Sequence, residues 1–396
     1  METNRDLTAV AAPSATGVIP VMRPWLDEEE ATAAAAVVAS GWLAQGPRVA
    51  EFESAFASHV GAPHGVAVSS CTTALHLSLH LLGVGPGDEV VVPSFSFVAT
   101  ANCAVYVGAT PVFADVEAKD GNISARTVER VLSDRTRAVV VVHQGGAPAD
   151  VEPLRRLCDS RGVALVEDAA CAAGSRYQGA PVGADALLAA WSFHPRKLLT
   201  TGEGGMLTTS DPQLADRARR LREHGMSVSA ADRHRSRQPV IESYLEVGFN
   251  FRMTDIQAAV GLVQLRKLDA MVSRRRALAA GYQELLADVP GLRTVQDPTW
   301  GESNFQSFWV ELGDDFPLSR NDTLALLAAE GVSARAGIMA AHRQPAYAGH
   351  GHGDLSVTER LTDNTLILPL FHTMTESEQL AVVGVVRRAA GLKAAS

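Results

Sequence analysis

Residues 138–168 read AVVVVHQGGAPADVEPLRRLCDSRGVALVED. Ala138–His143 is a continuous apolar run carrying four valines, the pattern of a strand buried on both faces. Ala149–Arg161 follows as a helical stretch, and Ala164–Glu167 is a second apolar strand. Strand, helix, strand is the unit of a parallel sheet. The alternation extends outward in both directions. Gly65–Val68, Glu89–Val92, Pro111–Asp115, Leu188–Ser192 and Gly205–Thr208 read as further strands. Thr72–Leu82 and Pro212–His224 read as helices, the second with Pro at its start, His224 in its last turn and Gly225 after it. The expected class is α/β, with a large mostly parallel sheet and helices on both faces.

The pattern changes near residue 254. Asp27 with Glu30 opens an early helix that closes at Ser40-Gly41, and Thr254 with Gln257 opens a long one reaching about Leu286. Beyond it come strand-like Gln306–Leu312 and Leu366–Leu370, a helix near Asn321–Glu330 and a last helix from Glu376. The expected organisation is a flexible tail at 1–17, a large α/β domain at 18–253, a bridging helix at 254–287 and a smaller α+β domain at 288–396.

Composition narrows the function. The chain has 396 residues and a net charge of −9, without a dense basic block, so nucleic acid is not the expected partner. No apolar run approaches the length of a membrane span. The first residues are polar and do not read as a secretory signal. Four cysteines, none in a C-x-x-C pair, fit a reducing, cytoplasmic compartment. His342, His350 and His352 lack metal-ligand spacing and read as loop residues, so no metal is expected. Gly83-Val-Gly85-Pro-Gly87 follows a helix and precedes a strand, the wrong order for a dinucleotide fingerprint; Gly83 reads as a helix C-cap.

Three segments carry chemistry. In Ser192–Gly205, Lys197 follows a strand and precedes a Gly-rich turn. Lysine is ordinarily a solvated surface residue, but one shielded from water has a lowered pKa and forms Schiff bases. In Val163–Cys171, a buried strand ends in Glu167 and Asp168, where ligands of open α/β sheets bind. A carboxylate there favours a protonated pyridine nitrogen, whose ring then drains electrons. Both acids also suit a helix cap, and for Glu167 that reading or a supporting one is preferred. In Ser69–Leu75, hydroxyls open a helix after a strand. Such an end holds an anion, and it also reads as a plain N-cap by Ser70 or Thr72.

Together these segments resemble the DegT/StrS family of sugar aminotransferases that use pyridoxal 5'-phosphate (PLP). The resemblance runs from Gly46–Glu53 to Leu368-Pro-Leu370 and is most specific in Ser192–Gly205 and Gly248–Gln257. It implies a fold type I PLP-transferase. It implies that Lys197 binds PLP as a Schiff base and shuttles protons, and that Asp168 pairs with the ring nitrogen. It implies that Phe97 stacks on the ring and that Thr72, Thr73 and Ser192 contact the phosphate. Asn250 would reach the phosphate of the neighbouring subunit, so a homodimer is expected. Cys171 stands where the family often has Gln, Cys71 where it usually has Gly, and Gly145 where many members have Tyr. The last difference implies a wider site.

The activity implied is amino transfer from a donor, L-glutamate by resemblance, to a keto-sugar, nucleotide-linked by default, in amino-sugar biosynthesis and secondary metabolism. Arg252 is a candidate for the donor carboxylate and a surface ion pair in equal measure; His143 is a second substrate candidate. Arg233, Arg235 and Arg237 are candidates for a diphosphate. A free keto-cyclitol or other keto-sugar of an antibiotic pathway is an alternative acceptor. Related dehydratases replace the lysine with histidine, so Lys197 favours amino transfer. A PLP-binding regulatory protein without turnover is the rival from another class.

Overall fold

The computed structural model describes residues 17–229, 236 and 239–393. Its seven-stranded sheet comprises β1 (His64–Val68), β2 (Glu89–Pro93), β3 (Thr110–Ala114), β4 (Thr136–Val142), β5 (Ala164–Asp168), β8 (Leu188–Ser192) and β9 (Gly205–Thr209). The spatial order is β1-β9-β8-β5-β4-β2-β3. The pairs from β3 through β8 are parallel, and β9 runs antiparallel to both its neighbours. All seven expected strands are present.

Strand periodicity explains why the central parts of these strands are apolar on both faces. Val90 and Val92 pack on one face with the helices Cys71–Leu81 and Ala99–Tyr106. Val91 packs on the other with the helix Val151–Arg161. Ala138 and Val140 divide from Val139 and Val141 in the same way. Successive side chains alternate faces, so a strand covered on both sides needs no polar position.

The helix Asp255–Leu285 has 31 residues and spans about 46 Å. Thr254 and Gln257 form its capping box, as the sequence indicates. It joins two cores: Leu268 packs against the seven-stranded sheet, while Leu278, Ala279 and Tyr282 enter the C-terminal core. That core is built on a four-stranded antiparallel sheet, β10 (Leu292–Thr294), β12 (Phe308–Leu312), β14 (Thr365–Leu368) and β13 (Arg335–Ala336), in the order β10-β12-β14-β13.

Two features bind the parts together. A small sheet pairs β11 (Gly301–Glu302) with β6 (Arg176–Tyr177), which in turn pairs with β7 (Ala180–Pro181). The segment at Ile19 bridges Val332, and the Val21 carbonyl accepts from Leu370 N. The helix from Pro212 ends at Leu221, short of the expected His224. His224 itself takes a left-handed φ of 62° and turns the chain.

Candidate active site

The parallel strands deliver their carboxyl ends to one edge of the sheet, where open α/β sheets bind ligands. A cavity of about 840 Å³ opens there, closed on its other side by residues of β12, β13 and β14. Asp168 is the last residue of β5 and Ser192 the last of β8, and both line it. The turn after β2 supplies Ser96 and Phe97, and the helix Ala99–Tyr106 that follows supplies Thr100; the turn after β4 supplies Gln144 and Gly145. Lys197 enters from the irregular segment between β8 and β9.

Lys197 Nζ donates to Cys171 Sγ at 3.2 Å. Asp168 is held from two sides: Thr100 Oγ1 donates to Oδ2 at 2.9 Å and the Ala170 amide to Oδ1 at 3.2 Å. Cys71 Sγ lies 4.0 Å from Oδ1. Burial pushes the Asp168 carboxyl up, opposed by Thr100, the Ala170 amide and Lys197. Burial likewise raises the Cys71 thiol well above its usual range, with Asp168 adding to it. Lys197 differs from its sequence expectation. Burial acts to lower its ammonium, but Cys171, Cys71 and Asp168 outweigh burial and hold it above the ordinary lysine value.

The helix Cys71–Leu81 points its N-terminus into this cavity. Ser70 caps it, accepting from Thr73 N, and Ser70, Cys71 and Thr72 line the space. The Thr73 hydroxyl is differently employed: it donates to Ser70 O at 2.7 Å and accepts from Ser70 N at 3.0 Å. It closes the capping box and is absent from the cavity lining. Gly205, at the start of β9, makes this packing possible. A Cβ there would stand 2.3 Å from Ser70 C and 2.5 Å from Cys71 N.

His143 corrects a second expectation. Its ring is fully buried beneath the site, not in the cavity wall. Ala149 N–H donates to Nδ1 at 3.1 Å, and Nε2 pairs with Glu167 Oε2 at 3.2 Å. Arg155 donates to the other oxygen of Glu167 at 2.8 Å. Burial raises the Glu167 carboxyl, but His143 and Arg155 outweigh it and hold the group below the usual range. Both His143 ring nitrogens are therefore engaged within the protein, and the residue is not among those lining the cavity.

Asn250 and Arg252 lie outside the cavity of their own chain. Phe249 and Phe251 stack at 4.6 Å beside His76, which anchors this loop to the helix Cys71–Leu81. Asn250 is exposed and Arg252 half-buried. The arginines at 233, 235 and 237 fall outside the described residues. Among the described residues no cluster of His, Cys, Asp or Glu could hold a metal. His342 is not a free loop residue: it is buried, with Ser94 Oγ 2.7 Å from Nδ1 and Glu359 Oε1 3.2 Å from Nε2.

The sequence did not point to the strap Asn304–Ser307. Asn304 Nδ2 donates to the carbonyls of Cys171 and Ala173, each at 2.8 Å. Gln306 Nε2 donates to Arg196 O, and Ser307 N to Gly145 O. Phe305 takes a left-handed φ of 48°, and its carbonyl accepts two bonds from Arg275. These contacts pin the segments around Lys197, and no local sequence signal announces them, because their partners lie more than a hundred residues away in the chain.

The residues present fit PLP. Lys197 offers an amine for its aldehyde and Asp168 a carboxylate for its ring nitrogen. Phe97 is 59% exposed and presents an open ring to the cavity. Ser70, Thr72, Ser192 and the helix N-terminus offer hydroxyls and amides for a phosphate.

A sequence model of the DegT/DnrJ/EryC1/StrS aminotransferase family matches residues 24–387. The chain is 40% identical to the aminotransferase TlmJ from Streptoalloteichus hindustanus, covering 94% of this chain and 99% of that one at a TM-score of 0.86. DesV of S. venezuelae, solved with a ketimine intermediate, is 35% identical, with 94% and 98% coverage and a TM-score of 0.85. DesI, solved in the presence of its TDP-sugar product, is 31% identical, with 95% and 93% coverage and a TM-score of 0.86. A lysine and a carboxylate gathered at the carboxyl edge of this sheet thus have a family context: the chain belongs to the DegT/DnrJ/EryC1/StrS aminotransferase family and is a PLP-dependent sugar aminotransferase.

Proposed function

We propose that this enzyme moves the amino group of L-glutamate to a nucleotide-linked keto-sugar. The observation that carries this reading is the cavity itself. At about 840 Å³ it lies at the upper end of the usual range for ligand sites, and it continues from Lys197 past the cofactor residues to β13 and β14. Gly145 contributes to that room, since no side chain projects there toward Ser307 and Trp309. The TDP-sugar of the DesI structure is a ligand of the proposed kind.

Bound PLP supplies an electrophilic carbon and a ring that accepts the electron pair left when the donor loses a proton. The protein supplies the rest. Lys197 would hold the cofactor covalently, then take the donor's α-proton at Nζ and return it. Its neighbours hold the amine in place while it does so. Asp168, fixed by Thr100 and the Ala170 amide, would keep the ring nitrogen protonated. Ser70, Thr72 and Ser192 would hold the phosphate, and Phe97 would cover one ring face. Asn250, exposed and clear of its own cavity, would complete the site of a second copy in a homodimer.

The test is the absorption of the holoenzyme with L-glutamate, followed by a screen of keto-sugars for return of colour. Lys197→Ala is expected to fold, to lose the band of covalently held cofactor and to show no turnover. A nucleotide-linked keto-sugar restoring colour at least about tenfold more efficiently than the free sugar supports the acceptor class. Recovery with a free keto-cyclitol alone would replace it, and bleaching without any acceptor would leave only the donor half of the reading.

A further inference from the structure

A lysine side chain is long and loses much rotamer freedom when it is fixed. A covalent bond to the cofactor fixes it, but amino transfer breaks that bond. The freed amine must then stay within reach of the reacting carbon to take and return a proton. Among the described residues Lys197 Nζ has a single hydrogen-bond partner, Cys171 Sγ at 3.2 Å. Asp168 does not pair with it: its oxygens are held by Thr100 and the Ala170 amide. The second thiol of the cavity is placed differently. Cys71 Sγ lies 4.0 Å from Asp168 Oδ1 and makes no hydrogen bond to Nζ.

The contact is built from both sides. Cys171 stands in the turn after β5, where Ala172 N donates to Ala169 O at 2.9 Å and Asn304 Nδ2 grips the Cys171 carbonyl at 2.8 Å. Lys197 stands in a turn of its own, with its N–H donating to His194 O at 2.8 Å. Gln306 Nε2 grips the Arg196 carbonyl next to it at 2.8 Å. Asn304 and Gln306 belong to one strap and are tied together, since Gln306 N donates to Asn304 Oδ1 at 2.8 Å. The same strap therefore fixes the backbone behind the thiol and the backbone behind the amine. A single χ angle places Sγ once its backbone is fixed, so the thiol is the rigid half of the pair and the lysine the mobile half.

We propose that Cys171 is a positioning residue for Lys197, its sulfur holding the ε-amine in the cavity whenever that amine is free of the cofactor. This rests on Lys197 being the reacting amine and is independent of which donor and acceptor the enzyme uses. The contact also acts on the proton that the amine carries. Burial favours the neutral amine, and Cys171 is the strongest of the groups that oppose it, followed by Cys71 from the helix Cys71–Leu81 and Asp168 from β5. His194, on the lysine's own turn, also feels its charge. Removing the thiol leaves burial less opposed, so the ammonium gives up its proton at lower pH.

The first measurement uses cofactor-free protein. The chain has four lysines, Lys119, Lys197, Lys267 and Lys393, so their ε-carbons can be followed singly by NMR as pH rises, with Lys197→Ala for assignment. Lys197 is expected to titrate at lower pH in Cys171→Ala than in wild type, with Cys171→Ser between them and the other three lysines unmoved. Cys171→Ser also carries the test if the alanine variant does not fold. The second measurement is single-turnover bleaching of the holoenzyme by L-glutamate. It is expected to slow about tenfold in Cys171→Ala while the PLP dissociation constant stays within about twofold of wild type. The same lysine titration in wild type and variant overturns the proposal, as does an unchanged bleaching rate. A loss of PLP affinity with the lysine titration unmoved overturns it too, because the thiol would then hold the cofactor and not the amine. The underlying assignment is read separately. If Lys197→Ala keeps the band of covalently held cofactor, Lys197 leaves the chemistry and this proposal goes with it; if only the Cys171 variants match wild type, Lys197 stands and Cys171 falls.

Discussion

Lys197 and Asp168 show what residue type and position can reveal. An acid at the end of a buried strand and a lysine after a strand-end serine are visible without a structure. Their electrostatics are not. Burial alone lowers a lysine, yet the two thiols and the carboxylate around Lys197 reverse the sign. Those partners come from positions 71, 168 and 171, and only folding brings them together. Asp168→Asn keeps the shape of the side chain and removes its charge. It is expected to leave the melting temperature near wild type and to reduce turnover roughly 100-fold or more, since a charge aimed at the reacting system is lost. Steady-state rates alongside the glutamate half-reaction would show whether proton removal bears that loss. An unchanged rate would remove Asp168 from the chemistry.

Elements carry the next level of the argument. The strands of the large sheet were legible because most contain a continuous apolar run, as a doubly covered sheet requires. Helix caps were legible as well: Asp27 with Glu30 and Thr254 with Gln257 close the capping boxes their spacing indicates. The strands β6, β7 and β11, two residues each, are too short to show a period. What the elements create between them is the phosphate end of the site, where β9 and the helix Cys71–Leu81 meet at Gly205. Gly205→Ala would drive a methyl group into Ser70 and Cys71 backbone, which cannot yield as a side-chain tip can. The expected outcome is at least a tenfold rise in the PLP dissociation constant, on the order of 1.4 kcal/mol, measured by titrating cofactor-free protein. Gly384→Ala is the control, because a Cβ there meets only the end of Arg388 at 3.6 Å. Equal affinity in both variants would show that the helix N-terminus does not hold the phosphate.

At the scale of the whole molecule, the long helix and the N-terminal segment hold the two cores in register. Arg275 sits on that helix, buried, and ties it to Phe305, Gln306 and Leu370. His372 lies at the same junction, stacked on Trp25 at 5.0 Å. Burial, with the positive charges of Arg275 and Lys267, pulls its imidazole from 6.5 down to about 4. The unfolded chain therefore takes up this proton first as pH falls, and stability is lost between about pH 6.5 and pH 4. The loss is of order 3 kcal/mol for a shift of that size. His372→Phe preserves the stack and removes the titration, so the gap between variant and wild type should open over that window in urea unfolding. Asp120, which burial pushes up to about 6, acts in the opposite sense and is common to both proteins. A constant gap across the window would show that His372 does not titrate between the two states.

The sequence by itself determined the α/β class, the seven strands of the large sheet, the capping boxes at Asp27 and Thr254, and the positions of Lys197 and Asp168. Each of these is written locally, in apolar runs, short spacings and residue types. The tertiary structure decided which neighbours those residues acquired. It placed His143 under the floor, spent the Thr73 hydroxyl on a cap and set two thiols around Lys197. It also left Arg320 and Arg335 lining the cavity with no carboxylate paired to either among the described residues. The reason is physical: charge and proton affinity depend on groups within a few ångströms in space, and those groups come from chain positions tens to hundreds of residues apart.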